Sequence, residues 1–171
     1  MGEQKRCLVV YATGSGCTED VARWIAEELE ANGVTADVRP ADDDPACAGY
    51  DAAIVGSGVR AGAWHKQARR WVVRNAEALR TMPVAFFTVG LKMAESEKNA
   101  AEVRGYTDAL IQQIGLSPVE IGLFAGWSQM KRFTLPERLV LKALKAPDGD
   151  FRDEAAVRAW TSGLLDRLGM L

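Results

Sequence analysis

The sequence predicts an α/β fold: an open, parallel, five-stranded sheet with helices on both faces. Three observations carry the prediction. Short apolar runs alternate along the chain with longer amphipathic segments. Several runs, such as CLVVY and VAFFTV, are continuously apolar, as parallel strands covered on both faces are. A glycine- and hydroxyl-rich loop, Thr13-Gly14-Ser15-Gly16-Cys17-Thr18, joins the first run to the first helical segment. Right-handed crossovers leave few topologies for such a chain.

The elements follow in order. Cys7 to Tyr11 reads as the first strand. Thr18 to Glu30 reads as a helix, with Val21, Ile25 and Leu29 recurring at spacing four, Glu19-Asp20 at its positive end and Asn32-Gly33 as its stop. Val34 to Val38 is a short second strand, and Asp42-Asp43-Asp44-Pro45 a loop. Ala52 to Ser57 is the third strand, and Lys66 to Leu79 an amphipathic helix. Pro83 opens a fourth strand, Val84 to Val89. Ala100 to Ile114 is a helix stopped by Gly115, and Val119 to Phe124 a fifth strand. Leu135 to Lys145 is amphipathic, and its apolar side is expected to pack on the domain, with only weak contact to a membrane surface as the alternative. A turn-rich break, APDGD, precedes a closing helix from Glu154 to Leu168. The 171 residues contain no internal repeat and suit one domain.

Composition excludes several classes. With 48% hydrophobic residues and a formal net charge of -2, the chain suits a packed core and lacks a nucleic-acid footprint. Cys7, Cys17 and Cys47 form neither a CxxC nor a metal-ligand pair, which fits a reducing cytoplasm, and Cys7 reads as a small buried hydrophobe. The polar N-terminus lacks a signal peptide's apolar stretch, and no run reaches the roughly 20 apolar residues of a spanning helix. A cytoplasmic protein, at most peripheral to a membrane, is expected. The oligomeric state is not written in the sequence.

The loop from Thr13 to Thr18 has the form of a phosphate cradle. Gly14 and Gly16 allow a tight turn and close approach, while Thr13, Ser15 and Thr18 carry hydroxyls. The helix start beyond them favours an anion without a lysine. There is no GxxxxGK[ST] and no dinucleotide fingerprint. The plain alternative is a strand-to-helix turn built from small residues.

For the strand order 2-1-3-4-5, a ligand sits at the switch between strands 1 and 3. The loop after strand 3, Gly56-Ser57-Gly58-Val59-Arg60-Ala61-Gly62-Ala63-Trp64-His65, suits the ring of flavin mononucleotide (FMN). Gly58 and Gly62 let backbone approach the ring's polar edge. Trp64 is expected either to stack on the ring or to anchor the next helix. Arg60 would balance charge on the flavin or form a surface ion pair. His65, the only histidine, is a candidate proton donor, or else a cap or surface residue. Thr88, Val89, Gly90 and Leu91 after strand 4 form a second wall, and Trp127 after strand 5 shields the flavin or meets a partner.

Five segments in order, CLVVYATGSGCTEDVA, GSGVRAG.W, MPVAFFTVGL, FAGWSQMKRFTLPERLVLKALK and GDFRDEAAVRAW, resemble the flavodoxin-domain proteins related to menaquinone-dependent protoporphyrinogen oxidase. The resemblance runs from Arg6 to about Trp160. It implies a flavodoxin-like fold and FMN, with Thr13–Thr18 (Cys17 included) at the phosphate and Ser57–Trp64 and Thr88–Leu91 facing the ring. Two departures stand out. Gly14-Ser15 replaces a basic residue often found in the family's phosphate loop. The stretch after strand 4, KMAESEK at residues 92–98, is shorter and half acidic where the oxidase proper is longer and basic.

The function expected is an FMN oxidoreductase or electron-transfer protein, with protoporphyrinogen IX or a related small-molecule donor and a quinone acceptor. Two alternatives remain open at this point: a pure electron carrier for a redox-protein partner, and a non-redox module that binds another phosphate ligand.

Overall fold

The computed structural model describes residues 2–91, 99–128, 133–145 and 149–171. Its strands and helices run β1 (Arg6–Ala12), α1 (Cys17–Ala31), β2 (Thr35–Pro40), β3 (Ala52–Arg60), β4 (Ala63–Trp64), α2 (Lys66–Arg74), α3 (Ala76–Leu79) and β5 (Val84–Gly90). They continue with α4 (Ala100–Ile114), β6 (Glu120–Ala125), β7 (Trp127–Ser128), α5 (Leu135–Ala143), β8 (Gly149–Asp150) and α6 (Glu154–Leu164).

The main sheet has the order β2-β1-β3-β5-β6, all parallel. This is the expected 2-1-3-4-5 order with one addition: β4 folds back antiparallel on the end of β3. Apolar runs make the inner strands because each residue meets a helix layer on one side or the other. Cys7, Val9, Tyr11, Ile54 and Phe87 face the layer of α1 and α6. Leu8, Val10, Val55 and Phe86 face the layer of α2, α3 and α4. Val21, Ile25 and Leu29, fully buried on one stripe of α1, each contribute about 2 kcal/mol of burial. Cys7 is buried as expected, and burial pushes its thiol up to about 12.

Four expectations change in the structure. The third strand continues to Arg60 and turns through Ala61-Gly62 into β4, a hairpin where a simple loop was expected. The helix expected over Lys66–Leu79 is broken at Asn75, whose side-chain amide donates to the Trp71 carbonyl (2.9 Å) and ends α2. Trp127-Ser128 and Gly149-Asp150 form a small antiparallel ribbon instead of loop and break. The amphipathic α5 does not pack its apolar side inward: Leu135, Leu139, Val140 and Leu144 are 57–72% exposed. Its polar side turns to the domain instead, through Glu137 to Arg60 (3.2 Å) and through Arg138 to the Phe133 carbonyl (2.9 Å).

The hairpin turn is strained at one residue. Ala61 has φ 51° and Gly62 φ 75°, the two left-handed positions of a two-residue hairpin loop. A Cβ at Ala61 costs about 1 kcal/mol there. Ala61→Gly is therefore expected to raise stability by about 0.5–1 kcal/mol, read as a higher urea midpoint with an unchanged slope. An unchanged or lower midpoint would count against the left-handed geometry.

Candidate functional site

The carboxyl ends of β1, β3 and β5 converge at the switch point, and the loop between β1 and α1 closes it from below. Gly16 takes φ 90° and caps α1 without any side-chain capping bond. The first intrahelical bond runs from the Asp20 N–H to the Gly16 carbonyl (3.3 Å). The N–H groups of Cys17, Thr18 and Glu19 thus precede the helix ladder, as donors at a positive helix end.

The loop's hydroxyls are held in place by the protein itself. Thr13 Oγ1 accepts from the Gly16 N–H (2.9 Å), and Ser15 Oγ accepts from the Trp127 indole N–H (3.0 Å). Each hydroxyl acts as acceptor in these bonds and keeps its own proton to donate. This combination fits a phosphate: an uncapped helix start, a left-handed glycine and hydroxyls that retain donors. Cys17 lies under the loop, and burial pushes its thiol up to about 11. It is a packing residue, and only its backbone is suited to an anion.

Trp127 braces this loop. Its ring lies under the Arg152 guanidinium, 4.1 Å from the ring centroid. Arg152, its side chain only 13% exposed, reaches Asp20 at 2.6 Å and Asp150 at 2.7 Å. Neutralising Asp20 matters because an acid in the first turn of α1 otherwise repels an anion at the same helix end. Sequence reading missed Arg152 altogether, since it lies 132 positions from Asp20.

On the ring side, Gly58, Val59, Arg60, Ala61 and Gly62 lie on the open end of β3 and its hairpin turn, with half-buried Leu91 after β5. Arg60 is largely exposed and paired with Glu137, so it ties the hairpin to α5. Three residues expected near the ring have their side chains in the interior. Trp64 is only 2% exposed and packs against Phe86 with ring centroids 5.6 Å apart, so it offers no free face for stacking. Its indole N–H donates to Thr88 Oγ1 (2.8 Å), which in turn shares a hydrogen bond with Thr107 Oγ1 (2.6 Å), so the Thr88 hydroxyl is committed to the interior. Ser57 is fully buried; its hydroxyl accepts from the His65 N–H (2.9 Å) and bonds the Gly58 carbonyl (2.7 Å). Val89 and Gly90 are also inside, leaving backbone edges for a ligand. Residues 92–98, where the sequence departs from the oxidase pattern, lie outside the described residues, as do Lys131 and Arg132.

His65 opens α2 but does not cap it with its side chain. Its imidazole instead reaches across to the phosphate loop. A Cβ on Gly14 would stand 3.1 Å from its Cε1, and one on Gly58 would stand 3.3 Å from its Nε2 and 3.0 Å from Thr18 Oγ1. Gly14, Gly58, Thr18 and His65 thus meet at one point. Burial, and then the Arg60 charge, hold the imidazole below its ordinary pKa.

A five-stranded parallel sheet with an uncapped glycine turn at its switch point has the form of an α/β domain that takes a phosphate-bearing ligand. Residues 8–154 match the model of the flavodoxin domain family, and the chain belongs to that family. It is 26% identical over 160 residues to protoporphyrinogen IX dehydrogenase (quinone) of Escherichia coli strain K12, covering 91% of this chain and 88% of that protein. A protein of the same name from Leishmania major is 27% identical over 173 residues, covering 94% of this chain and 74% of that one. Among solved structures, a flavodoxin from Pseudomonas aeruginosa superposes with a TM-score of 0.61 at 13% identity, over 96% of this chain and 99% of that one. An oxidised flavodoxin from Bacillus cereus superposes with a TM-score of 0.59 at 18% identity, over 95% and 99%.

Proposed function

We propose that this chain is an FMN-dependent oxidoreductase that works against an anionic membrane surface, with protoporphyrinogen IX or a related donor and a quinone as acceptor. The observation that carries the reading is a phosphate cradle joined, through Arg60 and Glu137, to a helix that turns its apolar side to solvent. The curated relatives, named for a porphyrinogen donor and a quinone, support the choice of substrates.

FMN supplies the redox chemistry when bound. The protein's part is to bind and orient. Thr13–Thr18 hold the phosphate, with Trp127 and Arg152 keeping the loop in shape. The backbone of Gly58–Gly62 and of Gly90-Leu91 borders the ring. No side chain is needed as an obligatory acid or base, and His65 is assigned to the phosphate side rather than to proton transfer.

α5 explains how an apolar acceptor reaches the site. Leu135, Leu139, Ala143, Val140 and Leu144 fall within one half of its circumference at 100° per residue, and all are exposed. Arg138 and Lys142 occupy the other half. This is the pattern of a helix that lays its apolar side in a lipid interface, with the exposed Lys142 at its flank. No helix among the described residues is long and apolar enough to cross a membrane.

Three measurements test the reading. The visible spectrum of the purified protein should show bound flavin, and a colourless protein that FMN does not stain sinks it. Reduction by protoporphyrinogen IX and reoxidation by menaquinone should both proceed. The protein should also sediment with vesicles containing anionic lipid. The Leu139→Glu/Leu144→Glu variant should lose that binding at a stability within about 0.5 kcal/mol of the parent, because both side chains are already more than 60% exposed. Reduced flavin that passes electrons only to a protein acceptor, with no vesicle binding, would favour a pure electron carrier.

A further inference from the structure

The phosphate loop contains no lysine or arginine between Thr13 and Thr18. An imidazole comes to it from another element. His65 is fixed at the start of α2 by its own backbone, whose N–H is held by the buried Ser57 hydroxyl. That anchor sets the direction of the side chain. It runs into the gap that Gly14 and Gly58 leave by having no Cβ. A side chain at either glycine would press on the ring, at 3.1 Å from Gly14 and 3.3 Å from Gly58. Both glycines thus leave room for this residue. Among the described residues the imidazole has no hydrogen-bond partner. Gly14 and Gly58 flank it, Thr18 Oγ1 stands on the same side of Gly58, and the Arg60 charge acts on it.

We propose that His65 is the cationic phosphate ligand of this domain, supplied across the site by α2 and protonated when a phosphomonoester dianion occupies the loop. The inference rests on the flavin reading for the identity of that phosphomonoester, but not for the chemistry. An imidazole beside a dianion is favoured in its charged form. Burial, and then the Arg60 charge, favour its neutral form where no dianion is bound. Binding therefore takes up a proton, and the imidazole's contribution to affinity is present in full below the free-state pKa. It is lost as pH rises through the bound-state pKa. The phosphate's own second ionisation, near pH 6, acts in the other direction at acid pH. Riboflavin, which lacks the phosphate, separates the two.

His65 is the only histidine in the chain, so its ring protons give one unambiguous NMR titration. In the full-length protein, FMN is expected to move that titration upward by about one pH unit or more, and riboflavin is expected to leave it in place. His65→Gln should weaken FMN by ~10- to 100-fold and riboflavin by less than about twofold. Adding Gly14→Arg to His65→Ala should recover part of the loss, because the arginine then has the space the imidazole held. An unmoved titration with FMN bound, or equal losses for both flavins, overturns the proposal while leaving the flavin reading intact. If the protein takes up no flavin, that reading falls. Inorganic phosphate then decides the matter alone: an upward movement of the His65 titration upholds the ligand role, and no movement ends it.

Discussion

Gly56→Ala is expected to destabilise the protein by about 3 kcal/mol, the upper end of the usual range for overpacking. Gly56 lies in the middle of β3 and pairs with Phe87 in register. A Cβ there would come within 2.1–2.2 Å of three atoms of the Phe87 ring. That ring is fully buried and also packs at 6.5 Å, centroid to centroid, against Phe124. It cannot move aside without disturbing the layer beneath β5 and β6. Urea unfolding should show the loss, and Gly56→Ala/Phe87→Leu should be more stable than Gly56→Ala alone. A Gly56→Ala protein as stable as the parent would mean that the Phe87 ring does not cover this strand.

Arg152→Ala is expected to cost about 3 kcal/mol of stability and to loosen the phosphate loop as well. It removes a nearly buried cation and leaves Asp20 facing the start of α1 with only the exposed Arg23 beside it. The figure is placed at the low end for a broken buried pair because Asp150 is 45% exposed and solvent screens it. Arg152→Lys should recover only part, since an ammonium cannot reach both carboxylates as a planar fork does. The decisive comparison is with Asp20→Asn. If the repelled carboxylate is the main loss, the double variant Asp20→Asn/Arg152→Ala is more stable than Arg152→Ala alone, and additive losses would refute that account.

The strands and their order were legible because a doubly covered sheet leaves a strong mark on the chain: runs such as VAFFTV have no polar side to hide. The phosphate loop was legible for a similar local reason, since glycines and hydroxyls there serve one geometry. What could not be read was orientation. Trp64 at the end of a glycine-rich loop suits a ligand wall and a core anchor equally well, and only Thr88 and Thr107, in β5 and α4, decide for the core. The amphipathic pattern of α5 was plain, but periodicity states that a helix has two sides and not which side meets water. The β3–β4 hairpin was half visible: Gly62 marks a turn, whereas Ala61 in the same turn gives no such signal because it is there against its preference. Asp20 and Arg152 lie too far apart in sequence for any spacing rule to join them.

The three buried cysteines bear on the proposed quinone acceptor. Quinones are attacked by thiolates, and the thiolate rather than the thiol is the reactive form. Cys7, Cys17 and Cys47 are each at most 5% exposed, and burial raises the pKa of all three. Burial pushes the Cys17 thiol, which lies at the end of the phosphate loop, up to about 11, which disfavours the thiolate at neutral pH. On the proposed function, the fold would keep these thiols away from a quinone acceptor.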